Sequence, residues 1–263
     1  RNLDRHILLA GVPCTYAVPR DSTDVKTVVL SRDTAKLLTD DEIKAILAHG
    51  VFADAEATAE LCERGFSEYL GISVGEKMMC IAGSEMLHTI KHNDGSDIYI
   101  PSRIEGGKWR KITLCGAEAL SSLVTPGGEY LPGFTFYRNS LGGAVSVYAG
   151  RDGLGDGFMT KYRARLIRDI FDMLGAELVR ADFYSYGILN VRENEKGYAV
   201  MLANLSADTV EKIDLAFPEN VKNVRVLKEN GETISVGSCG NTVEVNVPMP
   251  LYGTVTVFAE KDV

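Results

Sequence analysis

The chain has 263 residues, 45% of them hydrophobic and 24% charged, with a formal net charge of -8 and a pI near 5.1. That length suits two domains, and the apolar content is ample for real cores. The acidic balance and the lack of a basic stripe exclude binding to a nucleic-acid backbone through counterion release, and no apolar stretch approaches the roughly 20 residues of a membrane span.

In chain order the first part reads as a helix over Leu3–Leu9, strands over Cys14–Val18 and Thr27–Leu30, and a helix over Asp40–Ala48. A short strand at Val51–Ala53 and a helix over Glu56–Arg64 follow. Thr39 and Glu42 have capping-box spacing, and Gly50 suits the turn that ends the helix they open. Residues 74–138 are less regular, with β-like MMCIA and DIYIP, a turn at Asn93-Asp94-Gly95 and a Gly/Pro-rich run from Thr125 to Gly133. A buried-type strand over Ala144–Ala149 leads through a glycine-rich loop into a helix over Met159–Leu174. Its apolar stripe is Leu166, Ile167, Ile170, Phe171 and Leu174; Arg163, Arg165, Arg168, Asp169 and Asp172 lie off the stripe.

This rhythm predicts an α/β fold with a parallel sheet over residues 1–183. From about Tyr184 short Val- and Thr-rich runs take over, with a hairpin signal at Asn230-Gly231, and residues 184–263 read as a small all-β sandwich.

No constellation of catalytic residues emerges. In AVSVYAGRDGLGDGF the glycines at 150, 153, 155 and 157 could admit a phosphate, but their spacing fits neither GxGxxG nor GxxxxGK[ST], and a plain strand-to-helix loop is the simpler reading. His88 and His92 are four apart without the glutamate of HExxH or a third ligand, which favours a solvated pair over a metal site. No GxSxG occurs. The five cysteines, Cys14, Cys62, Cys80, Cys115 and Cys239, form no CxxC pair and are odd in number. They read as buried thiols in a reducing compartment, with the cytoplasm as default. No cofactor and no metal is implied.

Trp109, Tyr130, Phe134, Phe136 and Tyr137 cluster in the irregular segment. Sugar rings stack on aromatic faces, which makes Trp109, Tyr130 and Tyr137 the carbohydrate-contact candidates; packing in a core or between domains is the competing reading.

The stretch VVLSRDTAKLLTDDEIKAILAHGVFADAEATAELCERGFSEYLGI resembles a segment of glycoside hydrolases of the β-galactosidase type, with the matching residues at Leu37–Gly50 and Glu63–Gly71. The resemblance implies a flavodoxin-like, class I amidotransferase-like or trimerisation domain that follows a catalytic barrel and precedes a β-sandwich. Val200–Glu260, with Asn204-Leu205-Ser206, resembles that last domain. Two features depart from the pattern: the first strand of the amidotransferase-like fold is missing, and its cysteine nucleophile has no counterpart, so no catalytic residue carries over. Arg1 stands in place of an initiator Met within a segment that already reads as helix, so further residues are expected upstream.

Three functions remain open at this stage. One is a non-catalytic region of a glycoside hydrolase, partnered by its own upstream catalytic domain and by copies of itself. The second is a divergent amidotransferase-like hydrolase. The third is a module that binds carbohydrate or a protein partner.

Overall fold

The computed structural model describes residues 3–14, 25–80, 83–91, 97–102, 107–125, 127–150, 161–182 and 187–262. The helix α1 (Leu3–Leu9) comes first, then β1 (Thr27–Leu30), α2 (Arg32–Leu37), α3 (Asp40–Leu47), β2 (Gly50–Asp54), α4 (Ala55–Glu63) and α5 (Ser67–Leu70). A run of strands follows: β3 (Ile72–Cys80), β4 (Gly83–Lys91), β5 (Asp97–Ser102), β6 (Gly107–Leu114), β7 (Glu118–Ala119), β8 (Ser121–Val124), β9 (Tyr130–Pro132), β10 (Phe134–Arg138) and β11 (Ala144–Tyr148). After α6 (Lys161–Met173) the chain is all β: β12 (Arg180–Ala181), β13 (Gly187–Asn194), β14 (Gly197–Asn204), β15 (Ile213–Ala216), β16 (Val221–Lys228), β17 (Thr233–Ser235), β18 (Ser238–Cys239), β19 (Thr242–Val245) and β20 (Thr254–Lys261).

The chain divides into two compact units. The first comprises Arg1–His6, Tyr16–Phe158 and Asp169–Ala176; the second comprises Ile7–Thr15, Met159–Arg168 and Glu177–Val263. Most of the predicted strand Cys14–Val18, the Asn93-Asp94-Gly95 turn, His92, the loop glycines beyond Gly150 and the start of the predicted helix at Met159 lie outside the described residues.

In the first unit a five-stranded sheet has the order β1-β2-β11-β10-β7. The strands β1, β2 and β11 run parallel, Thr27 opposite Gly50 and Gly50 opposite Ala144, as the alternating pattern predicts. The sheet is mixed rather than wholly parallel, because β10 and β7 join it antiparallel. A short turn between β10 and β11 is enough for that pairing, whereas a parallel neighbour needs a long crossover. Asn139 fixes the turn, its Oδ1 accepting from the Leu141 and Gly143 amides at 3.0 and 3.1 Å while its Nδ2 donates to the Leu47 carbonyl at 2.8 Å.

The helices follow their local chemistry. The capping box forms, with Thr39 Oγ1 accepting from the Glu42 amide and Glu42 returning a carboxylate to the Thr39 amide at 2.8 Å. Phe171 of α6 stacks on Phe52 of β2 at 5.5 Å between ring centres. The predicted stripe of α6 is buried, but so are Arg163 and Arg168, which are off the stripe.

The segment read as irregular is built mostly of strands. The strands β3 and β6 form one ribbon, and β5-β4-β8-β9 form a four-stranded sheet. Mixed sequences such as GKWRKITL hide this, because a two-stranded ribbon does not require the apolar-polar alternation that marks a half-buried sheet.

The second unit contains a four-stranded sheet, β12-β15-β19-β18, and a five-stranded sheet, β13-β14-β20-β16-β17. Alternate residues such as Tyr198, Val200 and Leu202 of β14 and Val255, Val257 and Ala259 of β20 fill one apolar core. At the β16–β17 hairpin only Gly231 takes a positive φ, 85°. Gly231 N–H donates to the Lys228 carbonyl and Lys228 N–H to the Glu232 carbonyl. The turn is therefore type I closed by a left-handed glycine bulge, not a turn with two left-handed residues. Arg168 anchors this unit's helical part, donating from Nη1 to the carbonyls of Ala10 and Ala181 at 3.0 and 3.2 Å and from Nη2 to Asp182.

The cysteines depart from the expectation of uniform burial. Cys14, Cys115 and Cys239 are exposed and Cys62 is half-buried; none of the four is in a disulfide. Cys14 lies in coil beyond α1, Cys115 in the bend after β6, and Cys239 on a short hairpin, positions that composition does not distinguish from core.

Candidate functional site

In open α/β sheets ligands settle at the carboxyl ends of the parallel strands. Here that edge is made by Leu30, Asp54 and Tyr148. Asp54 caps α4, its Oδ1 accepting from the Ala57 amide at 2.8 Å and its carbonyl from Thr58 Oγ1 at 2.8 Å. Two residues on, in the first turn of α4, Glu56 is buried to 6% exposure.

The strand β6 crosses this edge. Its Arg110 amide donates to the Ala149 carbonyl at 3.0 Å, Trp109 bridges Gly150, and the Ala55 amide donates to the Gly150 carbonyl at 3.1 Å. Arg110 also grips Glu56 through two hydrogen bonds and reaches the Gly75 carbonyl at 3.4 Å, while Arg32 Nη1 lies 3.8 Å from Glu56 Oε2. Both carboxylate oxygens are thus engaged, an arrangement suited to locking the ribbon onto the helix rather than to proton transfer.

Trp109 is 3% exposed and lies edge-on to Tyr148 at 5.3 Å, and Tyr148 in turn stacks on Phe134 at 4.3 Å. The three sugar-contact candidates are not brought together as one exposed face. Tyr137 is half-buried, its ring against Gly71, where an added Cβ would come within 2.5 Å of it. Tyr130 is 58% exposed on β9, next to Glu129, which pairs with Lys111 at 3.3 Å.

A further pair was invisible in the sequence. Ser122 Oγ lies 2.9 Å from His88 Nε2, and His88 Nδ1 lies 3.1 Å from the Ala119 carbonyl. A carbonyl only accepts, so Nδ1 carries a proton, and in the neutral ring Nε2 accepts from Ser122. That is the donor direction of a nucleophile and its base, but Ser122 is 9% exposed in the middle of β8 and sits on no strand-to-helix elbow. On the neighbouring register Ser121 Oγ donates to the buried Glu85 at 2.8 Å and accepts from the Phe134 amide. Both pairs therefore read as polar groups, buried or half-buried, that are hydrogen-bonded across adjacent strands. His88 is on a strand, so the helical spacing to His92 does not apply. Among the described residues no group of three His, Cys, Asp or Glu side chains could hold a metal ion, and no helix is long and apolar enough to cross a membrane.

No protein-family model and no curated protein matches the chain. Solved structures do match it in fold. The α-L-fucosidase isoenzyme 2 of Paenibacillus thiaminolyticus superposes with a TM-score of 0.62 at 15% identity, over 98% of this chain and 44% of the fucosidase. A β-galactosidase from Bacillus circulans sp. alkalophilus gives 0.58 at 13% identity, over 97% of this chain and 36% of the enzyme. A catalytic mutant of Gan42B, a GH42 β-galactosidase from G. stearothermophilus, gives 0.55 at 14% identity, over 98% and 35%. The chain therefore has the fold of part of these glycoside hydrolases and spans between 35% and 44% of their length.

Proposed function

We propose that this chain is the non-catalytic region that follows the catalytic barrel of a glycoside hydrolase. Its first unit serves as the amidotransferase-like domain that packs beside the barrel and supports oligomerisation, and its second as the terminal sandwich. The observation that carries this is the lopsided coverage: nearly all of this chain matches barely more than a third of the GH42 enzymes. The carboxyl edge of the parallel strands agrees with it, since that edge is filled by Trp109 and the Glu56–Arg110 pair. Four cysteines outside any disulfide, three of them exposed, suit a reducing compartment such as the cytoplasm.

The reading is tested by assaying aryl β-galactosides and aryl α-L-fucosides with the 263-residue chain and with the longer polypeptide that contains it. Turnover by the longer polypeptide alone is expected, together with an oligomer in light scattering. Turnover by the short chain that survives repurification sinks the proposal. Tyr130, whose ring is exposed, is the sequence candidate best placed to reach a carbohydrate.

A further inference from the structure

Among the described residues the sheet edges are blunted in the usual ways, except at β13. The edge strands β7, β12 and β18 have two residues each, β17 has three and β1 four, while β5 carries Pro101 and β9 carries Pro132. The β3–β6 ribbon is bulged between Val74 and Lys77 and bears Lys77, Lys108 and Lys111. In contrast β13, an edge of the five-stranded sheet in the second unit, runs for eight residues in unbroken register with β14. It holds no proline and no lysine, and its two charges, Arg192 and Glu193, are of opposite sign.

The register decides which of its main-chain groups are spare. The Asn204 amide donates to the Gly253 carbonyl and the Lys261 amide to that of Lys196, so the even-numbered residues of β14 bond to β20. The odd-numbered ones, Gly197, Ala199, Met201 and Ala203, therefore bond to β13, where their partners are Asn194, Arg192, Asn190 and Ile188. The amides and carbonyls of Leu189, Val191 and Glu193 point to the open side. Among the described residues no strand pairs with that side.

We propose that β13 pairs with β13 of a second copy of this chain, antiparallel about a two-fold axis at Asn190, to give one continuous sheet across a homodimer. In that register Leu189 lies opposite Val191 of the second copy and Glu193 opposite Gly187, with both main-chain bonds exchanged at each pair. Leu189 belongs to the sandwich core and Val191 packs against it, so apolar meets apolar where the two cores adjoin. On the opposite face the exposed Asn190 meets its own copy, and a carboxamide both donates and accepts. Arg192 lies opposite Ile188, which keeps the two guanidinium groups apart. Sliding the strands by two residues one way sets Glu193 against Leu189, and the other way carries Glu193 past Gly187, where the strand begins. Any extended strand would satisfy the main chain; the match of side chains and charge selects this one. Nothing in the pairing depends on what the longer polypeptide catalyses.

Sedimentation equilibrium of the 263-residue chain tests the dimer, and a reversible monomer–dimer equilibrium is expected with a Kd on the order of 10–100 µM, as for small interfaces. Val191→Pro should weaken dimerisation at least about tenfold at unchanged far-UV circular dichroism, since the N–H it removes points away from β14 and an edge tolerates proline there. With Cys14, Cys115 and Cys239 replaced by serine, Asn190→Cys should form an intermolecular disulfide under oxidised glutathione about tenfold faster than Arg192→Cys, which faces Ile188 rather than its own copy. This comparison decides the matter if Val191→Pro does not fold. A monomer at about 500 µM, dimerisation untouched by Val191→Pro, or equal linking at the two positions each overturn the proposal. In such a monomer, Leu189 and Glu193 amides protected from exchange would assign the edge to another segment of the chain.

Discussion

Arg110 holds Glu56 by two hydrogen bonds, Nε to Oε1 at 3.0 Å and Nη2 to Oε2 at 3.3 Å, and so joins β6 to the first turn of α4 at 54 residues' separation. The two side chains are 14% and 7% exposed, so the pair is buried within the first unit. The Coulombic gain offsets the desolvation of both charges only while both partners are present.

Removing one partner should therefore be costly. Arg110→Met is expected to destabilise the protein by up to about 3 kcal/mol in urea unfolding, because the buried Glu56 carboxylate loses both of its Arg110 hydrogen bonds and keeps Arg32 only at 3.8 Å. The double variant Glu56→Gln, Arg110→Met should recover part of that loss. A single-variant cost below about 1 kcal/mol would show that water reaches the pair and that its burial is not energetic.

Arg168 joins α6 to the end of α1 and to β12 through two carbonyls and Asp182. Arg168→Lys keeps the charge but cannot reproduce the forked donors. Amide exchange in α1 and around Ala181 should accelerate about tenfold or more, the effect of roughly 1.4 kcal/mol of local stability. Unchanged protection there would mean that α1 is held by apolar packing alone.

Thiol accessibility distinguishes the cysteines. Cys14, Cys115 and Cys239 are exposed, whereas burial holds the Cys62 thiol above its ordinary pKa. A disulfide reagent at neutral pH should modify the three exposed thiols first and Cys62 later, since the thiolate is the reacting form. Peptide mapping that finds Cys62 modified as fast as Cys239 contradicts the burial described.

At the rim of the sandwich core Tyr198 donates to Glu219 at 2.6 Å, and Lys261 pairs with Glu193 and Glu219 at 2.7 and 2.9 Å. Burial, then the bond to Glu219, raises the Tyr198 pKa, and hydrogen bonds to Glu193 and Glu219 raise that of Lys261. Both groups bind their protons more tightly when folded, so their stabilisation is complete below the unfolded values near pH 10 and is lost as pH rises above them. Glu219 is shifted down, first by Lys261 and then by Tyr198, so its contribution is present above its unfolded value near pH 4.3 and is lost on acidification. The urea midpoint of the sandwich should fall steeply above about pH 10 and less steeply in Tyr198→Phe. Parallel curves for the two proteins would remove Tyr198 from the alkaline transition.

Tyr252 in the sandwich unit has a φ of 63°. A left-handed tyrosine costs about 1–2 kcal/mol in backbone strain, and glycine returns some of the difference through its freer unfolded chain. Tyr252→Gly should therefore stabilise the sandwich by up to about 1 kcal/mol in urea unfolding. A destabilised variant would show that the ring packs in a way its 72% exposure conceals.

The sequence by itself determined what depends on near neighbours. The period of α6, the capping box at Thr39 and Glu42, the strand Thr27–Leu30 and the alternation in β14 and β20 are local statements about which side chains share a face, and they stand in the structure. The tertiary structure alone decided what depends on partners distant in the chain. Arg110 and Glu56, Arg168 and Ala10, and Ser122 and His88 meet only because strands pair across tens of residues. Cysteine exposure and the antiparallel addition of β10 and β7 belong to the same class. A residue's periodicity is written in its immediate neighbours, whereas its burial and its ionic partner are set by whichever distant segment covers it.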